Sequence, residues 1–543
     1  MEKILAYLGN FGRYQAFLYA LLILPGFLAG VQTLIFSWTG FVPNSRCRLP
    51  HELLQDVQYS MSDADMKKWY APGVSDGGST AYCSYCPNAT DETGACAHPI
   101  ECTDGFVYDR SQFTESLITK FDLVCGAKSL RDWARTVYQT GNLVGAIIFG
   151  ILADTFGRRP VFIWSALAQI VVFNTMFLAP NFWVFCCYQF MNGFLQDGTY
   201  IAGYIVFMEL VGGKARTYCG IWFQAFFTVG MLYDSLVAYI AQMLHGNWVI
   251  IQVAAGLPTL LYIPYWWLFP ESIRWLAVRD RSDEAKKYLS RATKFNRIQI
   301  PDAIINEELS NTQEDRAGGT ICDLFRHYNL AKISLIVFFT WFATSMLYYG
   351  LSFNTSDLPG DVYLTYTLSA ISELPGFIIC VPMMEKFGRK PSIVTLLGVG
   401  GISCIVAGFV ELSWVKVTLA LVGKMCAAAA FAVAYNFSAE LFPTVVRNIG
   451  TGMGSFSARI GGLLAPQVHS VTRSTAHWLP IVIYGCFALT AAFLDMFLPE
   501  TLNRTLPETI EDGNNFGRSP ATVAKSSVVV RTKDMDKNSS SSL

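Results

Sequence analysis

Apolar runs close to twenty residues long recur along the whole chain. Two of them are "VFIWSALAQIVVFNTMFLA" (161–179) and "VTLALVGKMCAAAAFAVAYNF" (417–437). A helix of that length crosses the ~30 Å hydrocarbon core of a bilayer. Within that core only helices and closed barrels satisfy their own peptide groups. Twelve spans are predicted, at roughly 14–40, 133–153, 161–180, 183–210, 218–242, 248–269, 332–351, 362–384, 392–411, 416–439, 448–470 and 479–498. Composition agrees: 52% of the 543 residues are hydrophobic and only 15% are charged, against about a quarter in a soluble domain. A net charge of −1 gives no basic field for nucleic acid. The first run, "LYALLILPGFLAGVQTLIF", is too long for a signal-peptide core and lacks an obvious cleavage site, so it reads as the first span.

An even number of spans places both termini on one side. Arg158, Arg159, Lys214, Arg216, the 274–332 segment, Lys386, Arg389, Lys390 and Arg447 all fall in alternate loops, which the positive-inside rule assigns to the cytoplasm. The chain then divides into a cytoplasmic N-terminus with the first span (1–41), an extracellular loop (42–131), spans two to six (132–269), a cytoplasmic loop (270–331), spans seven to twelve (332–498) and a cytoplasmic tail without regular structure (499–543). A multi-pass protein of the plasma membrane is expected. The extracellular loop holds Cys47, Cys83, Cys86, Cys96, Cys102 and Cys125, an even set that reads as disulfides of open connectivity. Zinc held by "CSYC" with Cys96 and Cys102 is the alternative. "NAT" at Asn88 is a glycosylation acceptor in the same loop.

Three motif pairs recur at nearly one offset. "FGRRP" at 156 returns as "FGRKP" at 387, 231 residues later; "ELVGGKAR" at 209 returns as "ELFPTVVR" at 440; "PESIRWL" at 270 returns as "PETLNRTL" at 499. Two parallel six-helix halves follow, an architecture that places a substrate site near the midplane and exposes it by rocking one half against the other. Asp154, Arg158, Arg159, Glu209 and Arg216, with Glu385, Arg389, Lys390, Glu440 and Arg447 in the second half, are expected to form charge latches between the halves. Asp154 and Glu209 add nothing to a topology signal made of Lys and Arg, which favours the latch.

"GILADTFGRR" resembles the loop motif of the major facilitator superfamily. "FDLVC" (121–125), "PESIRWL", "AELFPTVVRN" (439–448), "PETLNRTLPETIED" (499–512) and the Cys-rich loop resemble the organic cation, anion and carnitine carriers among the solute carriers. "LSFNTSDLPGDVYL" (351–364) looks closest to the carnitine and zwitterion branch. The resemblance implies an all-α polytopic fold of twelve transmembrane helices in two six-helix pseudo-repeats, and a transporter rather than an enzyme. The residues agree on the last point: no phosphate-binding "GxxxxGK[ST]" loop and no metal or nucleophile constellation stand out. No cofactor is expected. A cell-surface interaction protein acting through the extracellular loop is the alternative of another class, which the internal repeat disfavours.

Ionisable residues inside a membrane are functional candidates by default. Here they are Asp197, Asp234, Glu373, Lys424 and Arg459. Aromatic side chains gather on the cavity-facing helices: Tyr200 and Tyr204, Trp222, Phe226 and Phe227, Trp341, Tyr348 and Tyr349, and Phe431 and Tyr435. Aromatic faces with carboxylates suit an alkylammonium. The resemblance adds Gln224 and marks Phe227, Trp341, Tyr348 and Glu373 as substrate-cavity positions. It also exposes a departure. Cation carriers keep a base where this chain has Asp197 and an acid where it has Arg459. Either the two pair with each other across the halves, or Arg459 takes a substrate carboxylate while Asp197 or Glu373 takes an amine. Lys424 is expected to snorkel toward the extracellular face, and Asp234 to line the cavity or hold a coupling ion or proton. The predicted substrate is a small organic cation or zwitterion, with an organic anion anchored by Arg459 as the alternative. The Ser541-to-Leu543 end fits a peptide captured by a PDZ domain.

Overall fold

The computed structural model describes residues 2–9, 11–52, 59–60, 69, 82–86, 100–314, 320–353, 355, 360–473, 475–476, 478–504, 507 and 509–517. Twelve long helical segments run through them: α1 (Arg13–Leu34), α2 (Ser129–Phe156), α3 (Arg158–Thr175), α4 (Phe182–Leu210), α5 (Gly213–Met243), α6 (Trp248–Leu268), α7 (Tyr328–Phe353), α8 (Val362–Lys386), α9 (Arg389–Phe409), α10 (Ser413–Leu441), α11 (Arg447–Arg473) and α12 (Leu479–Asp495). Nine of these described segments are long and apolar enough to cross a membrane, and α4, α11 and α12 complete the twelve. Side-chain caps fix several starts. Asn181 accepts from the N–H of Val184, Asn247 from Ile250 and Asp361 from Leu364.

The halves pack as a repeat. Helix α1 packs on α5 and α2 on α4, as α7 packs on α11 and α8 on α10. Between the halves, α2 meets α11 and α5 meets α8. The repeated motifs dock onto one another. Gly157 and Gly388 turn the chain into α3 and α9 at φ of 105° and 101°. Glu271 of the first "PE" motif accepts from the N–H groups of Arg158 at 2.9 Å and Arg159 at 3.2 Å. Glu500 of the second accepts from Arg389 at 3.0 Å and Lys390 at 3.1 Å. A carboxylate thus satisfies the free N–H groups at each helix start, where the helix dipole favours it. Burial pushes the Glu271 carboxyl above its ordinary range, and these donors oppose the shift.

The charges expected to latch the halves while the outside is open pair within each half in this conformation, which is closed at the Cys-rich end. Arg158 pairs with Asp154 at 3.1 Å and with Glu209 at 3.8 Å, all within the first half. Arg389 pairs with Glu440 at 2.8 Å, within the second. Arg159 donates to the carbonyl of Trp266 and Arg447 to Thr444. In this conformation the charges brace each half internally, because each basic residue lies one helix turn or one neighbouring helix from its acid. Glu385 bonds across the halves, accepting from Tyr218 at 2.9 Å. The Arg216 side chain lies outside the described residues.

The Cys-rich segment adds two small antiparallel ladders, Ser45–Cys47 with Phe106–Tyr108 and Ser84–Tyr85 with Ile100–Glu101. Cys47 bonds Cys102 and Cys83 bonds Cys125; Cys86 is disulfide-bonded too. The zinc alternative is overturned, since Cys83 and Cys102 sit in different disulfides. Cys96, Asn88 and the Ser541-to-Leu543 end lie outside the described residues.

Candidate functional site

A cavity lies between the halves, walled by α1, α2, α4 and α5 on one side and α7, α8, α10 and α11 on the other. Ten of the expected cavity residues line it: Asp197, Tyr200, Gln224, Phe227, Trp341, Tyr348, Glu373, Phe431, Tyr435 and Arg459. Spacing explains the convergence. Trp341 and Tyr348 are seven residues apart on α7, and Phe431 and Tyr435 four apart on α10, so each pair shares a helix face.

Arg459 meets Asp197 across the halves in a two-bond fork. Its Nε lies 3.1 Å from one carboxylate oxygen and Nη2 lies 2.8 Å from the other. Nη1 donates to Ser455 Oγ at 2.6 Å, one turn earlier on α11. Helix α11 can present this arginine because its glycines touch α7 directly. A Cβ on Gly461 would lie 2.3 Å from the carbonyl oxygen of Phe342, and one on Gly454 2.9 Å from the Trp341 ring.

Glu373 forms the second charged centre. It accepts from Thr228 at 2.6 Å and from the Tyr348 hydroxyl at 2.9 Å, and Lys424 Nζ lies 3.2 Å away. Lys424 also donates to Ser369 at 2.9 Å. The snorkelling expectation is therefore wrong: Lys424 is 1% exposed and ends against Glu373, not at the surface. A buried charge finds its partner because an isolated one costs several kcal/mol. Glu373 itself follows a break at Ser372, between helical stretches Val362–Ile371 and Glu373–Lys386.

Aromatic rings close the space between the two centres. Trp341 stands edge-on to Tyr435 at 4.4 Å and to Phe431 at 6.3 Å, and Tyr348 stands edge-on to Phe431 at 5.7 Å. The Trp341 indole N–H is held by Ser438 at 2.9 Å. Four expected members, Tyr204, Trp222, Phe226 and Asp234, do not line it. Trp222 is 52% exposed and points away from the cavity, and Asp234 is wholly buried outside its lining. Tyr204 packs against Phe223 and Tyr435 instead.

Sequence reasoning passed over a neutral polar wall. Thr33, Gln139, Asn142, Gln196, Ser345 and Ser455 line the same cavity. Thr33 bonds Tyr138 at 3.0 Å, Tyr138 donates to Gln196, and Asn142 bonds Gln139 at 3.2 Å. The signal was present: amides three apart inside an apolar helix, and an amide beside Asp197, are costly unless paired.

Residues 79–512 match the sugar (and other) transporter family. The chain is 34% identical to an organic cation transporter protein of Drosophila melanogaster, over 96% of this chain and 95% of that one. The chain belongs to the organic cation, anion and carnitine transporter family of solute carriers, within the major facilitator superfamily. This carrier is also 33% identical to solute carrier family 22 member 13 of Homo sapiens, over 94% of this chain and 92% of that one. Its fold is that of the inward-open xylose transporter XylE from E. coli, at TM-score 0.62 and 15% identity, covering 92% of this chain and 99% of that one. It is a multi-pass membrane transporter and not an enzyme.

Proposed function

We propose that this carrier moves small organic cations or zwitterions across the plasma membrane by alternating access, with the Cys-rich segment outside and both termini in the cytoplasm. The observation that carries the reading is the charge layout of the cavity. Two carboxylates and two cations line or abut it, each carboxylate paired with a cation, so the space is formally neutral but has opposite charges at separate places. A zwitterion meets both, its carboxylate at Arg459 and its quaternary nitrogen among the Trp341, Tyr348 and Phe431 rings near Glu373. A simple cation meets Glu373 and the same rings. The relative named as an organic cation transporter is consistent with both. A simple anion is less well served, because it meets Arg459 alone and leaves Glu373 and the Trp341, Tyr348 and Phe431 rings without the cationic group that suits them.

Uptake by cells expressing the protein, with labelled tetraethylammonium, L-carnitine and a benzoate as probes, tests the reading. Uptake of either quaternary ammonium compound supports it. Uptake of the benzoate alone overturns it and leaves Arg459 as an anion anchor.

A further inference from the structure

Asp234 is the one buried charge-bearing side chain of the spanning helices, among the described residues, with neither carboxylate oxygen bonded to anything. It is wholly buried on α5. That helix packs against α8 of the other half, so Asp234 lies in a seam that must open during alternating access. Thr228, Met231 and Asp234 follow one another at intervals of three along α5. Thr228 bonds Glu373 and Met231 Sδ lies 3.8 Å from the Tyr348 hydroxyl, so Asp234 sits one turn beyond the cavity wall. From there α5 runs on to the Cys-rich end, where the carbonyl of His245 accepts from Thr114 at 2.6 Å.

The groups facing this stretch of α5 offer no counter-charge. They are Tyr366 and Glu373 of α8, Lys424 of α10, and Tyr233 of α5 itself; Arg135 of α2 lies over the Phe36 and Phe353 rings with Asp132 at 3.6 Å. Glu373 and Lys424 already pair with each other. The Tyr366 ring packs on Trp38 where α1 ends. An ionised carboxylate sealed here without a partner is strongly disfavoured, so the seam closes readily only around a neutral carboxyl.

We infer that Asp234 is a proton-binding site that gates closure of the Cys-rich end. The proton is taken from water on that side when α5 and α8 part, rests on a carboxylate oxygen while they are closed, and returns to the same water when they part again. No net proton crosses the membrane. The inference rests on the transport reading above and adds a regulated step to it.

The test compares wild type with Asp234→Asn, which keeps the shape and stays neutral. Initial uptake of tetraethylammonium and L-carnitine, whose quaternary charge does not titrate, is measured against external pH, normalised to surface protein. The range runs from roughly pH 5 to pH 9, where buried carboxyls titrate. Wild-type uptake is expected to fall by about threefold or more as pH rises, because deprotonation opposes closure, while the Asn variant stays flat. Matching profiles overturn the gate, and loss of uptake by the variant at every pH makes Asp234 structural and overturns it equally. Infrared spectroscopy of the purified full-length protein gives a readout without transport. A protonated-carboxyl band present in wild type and missing from the variant supports the site, and identical spectra overturn it. If wild type takes up neither probe, the substrate reading fails while the infrared comparison still decides where the proton sits.

Discussion

Lys424 and Glu373 illustrate how a single residue can be misread from sequence. A lysine in the first half of a span, toward the outside, can reach the interface, and nothing in "GKMCAAAAF" says otherwise. Its partner lies on another helix, 51 positions earlier, and only the packing of α8 on α10 brings the two within 3.2 Å. Removing one member of a buried pair costs about 3–5 kcal/mol, because the other is left uncompensated. Lys424→Met is therefore expected to lower thermal stability in detergent sharply, and adding Glu373→Gln to recover most of the loss. An unchanged melting temperature for the single variant would show that the pair contributes nothing. Asp197 and Arg459 were legible as an exchange of signs, with their pairing across the halves as one of two readings, but the two-bond geometry between them was not. Their pairing predicts a different pattern. Arg459→Ala is expected to reduce L-carnitine uptake at least tenfold while sparing tetraethylammonium, if the arginine takes the substrate carboxylate. Equal losses assign it to the bridge alone, and recovery in Asp197→Arg with Arg459→Asp would confirm that assignment.

At the scale of elements, most of the architecture was readable. Apolar runs of twenty residues leave few alternatives to a membrane helix, and the spans matched the helices within a few residues. The break in α8 also had a signal. Pro375 has no N–H to give the carbonyl of residue 371, four positions earlier, and the helix restarts at Glu373. What sequence could not supply was which motif docks on which. The "FGR" and "PE" motifs repeat as separate strings, yet they form one joint in each half. Gly157 has a φ and ψ of 105° and 159°, a region essentially limited to glycine that costs other residues about 1–3 kcal/mol. An added Cβ would also lie 2.5 Å from Glu271 Oε2. Gly157→Ala is expected to lose stability by at least that amount, read as a lower melting temperature. Gly150→Ala, inside the helix α2 that Gly157 ends, is the control, since a Cβ there meets nothing within 4 Å. Equal effects at both positions would remove the joint as the cause.

At the scale of the molecule, the near-constant offset between motifs exposed two halves, but not how they meet. Each half is joined by local sequence, whereas contact between halves depends on side chains far apart in the chain. At the Cys-rich end the contact is continuous. Trp38 stacks on Tyr363 at 4.9 Å, Gln467 of α11 donates to Thr136 of α2 at 2.7 Å, and His469 stands 3.8 Å from Asp132. At the opposite end the described inter-half hydrogen bond is the exposed one from Tyr218 to Glu385. The alternating access proposed above requires α2 to separate from α11 at the Cys-rich end in every cycle. A reversible link between Thr136→Cys and Gln467→Cys, made with a short disulfide-forming bifunctional reagent, should hold that end shut. Uptake of tetraethylammonium and L-carnitine should fall to background and return on reduction, whereas wild type given the same reagent should keep its rate. Exposed Cys187, Cys322 and Cys486 make that comparison necessary. Continued transport through the linked protein would mean that α2 and α11 never part, and that substrate reaches the cavity by some route other than the opening of this seam.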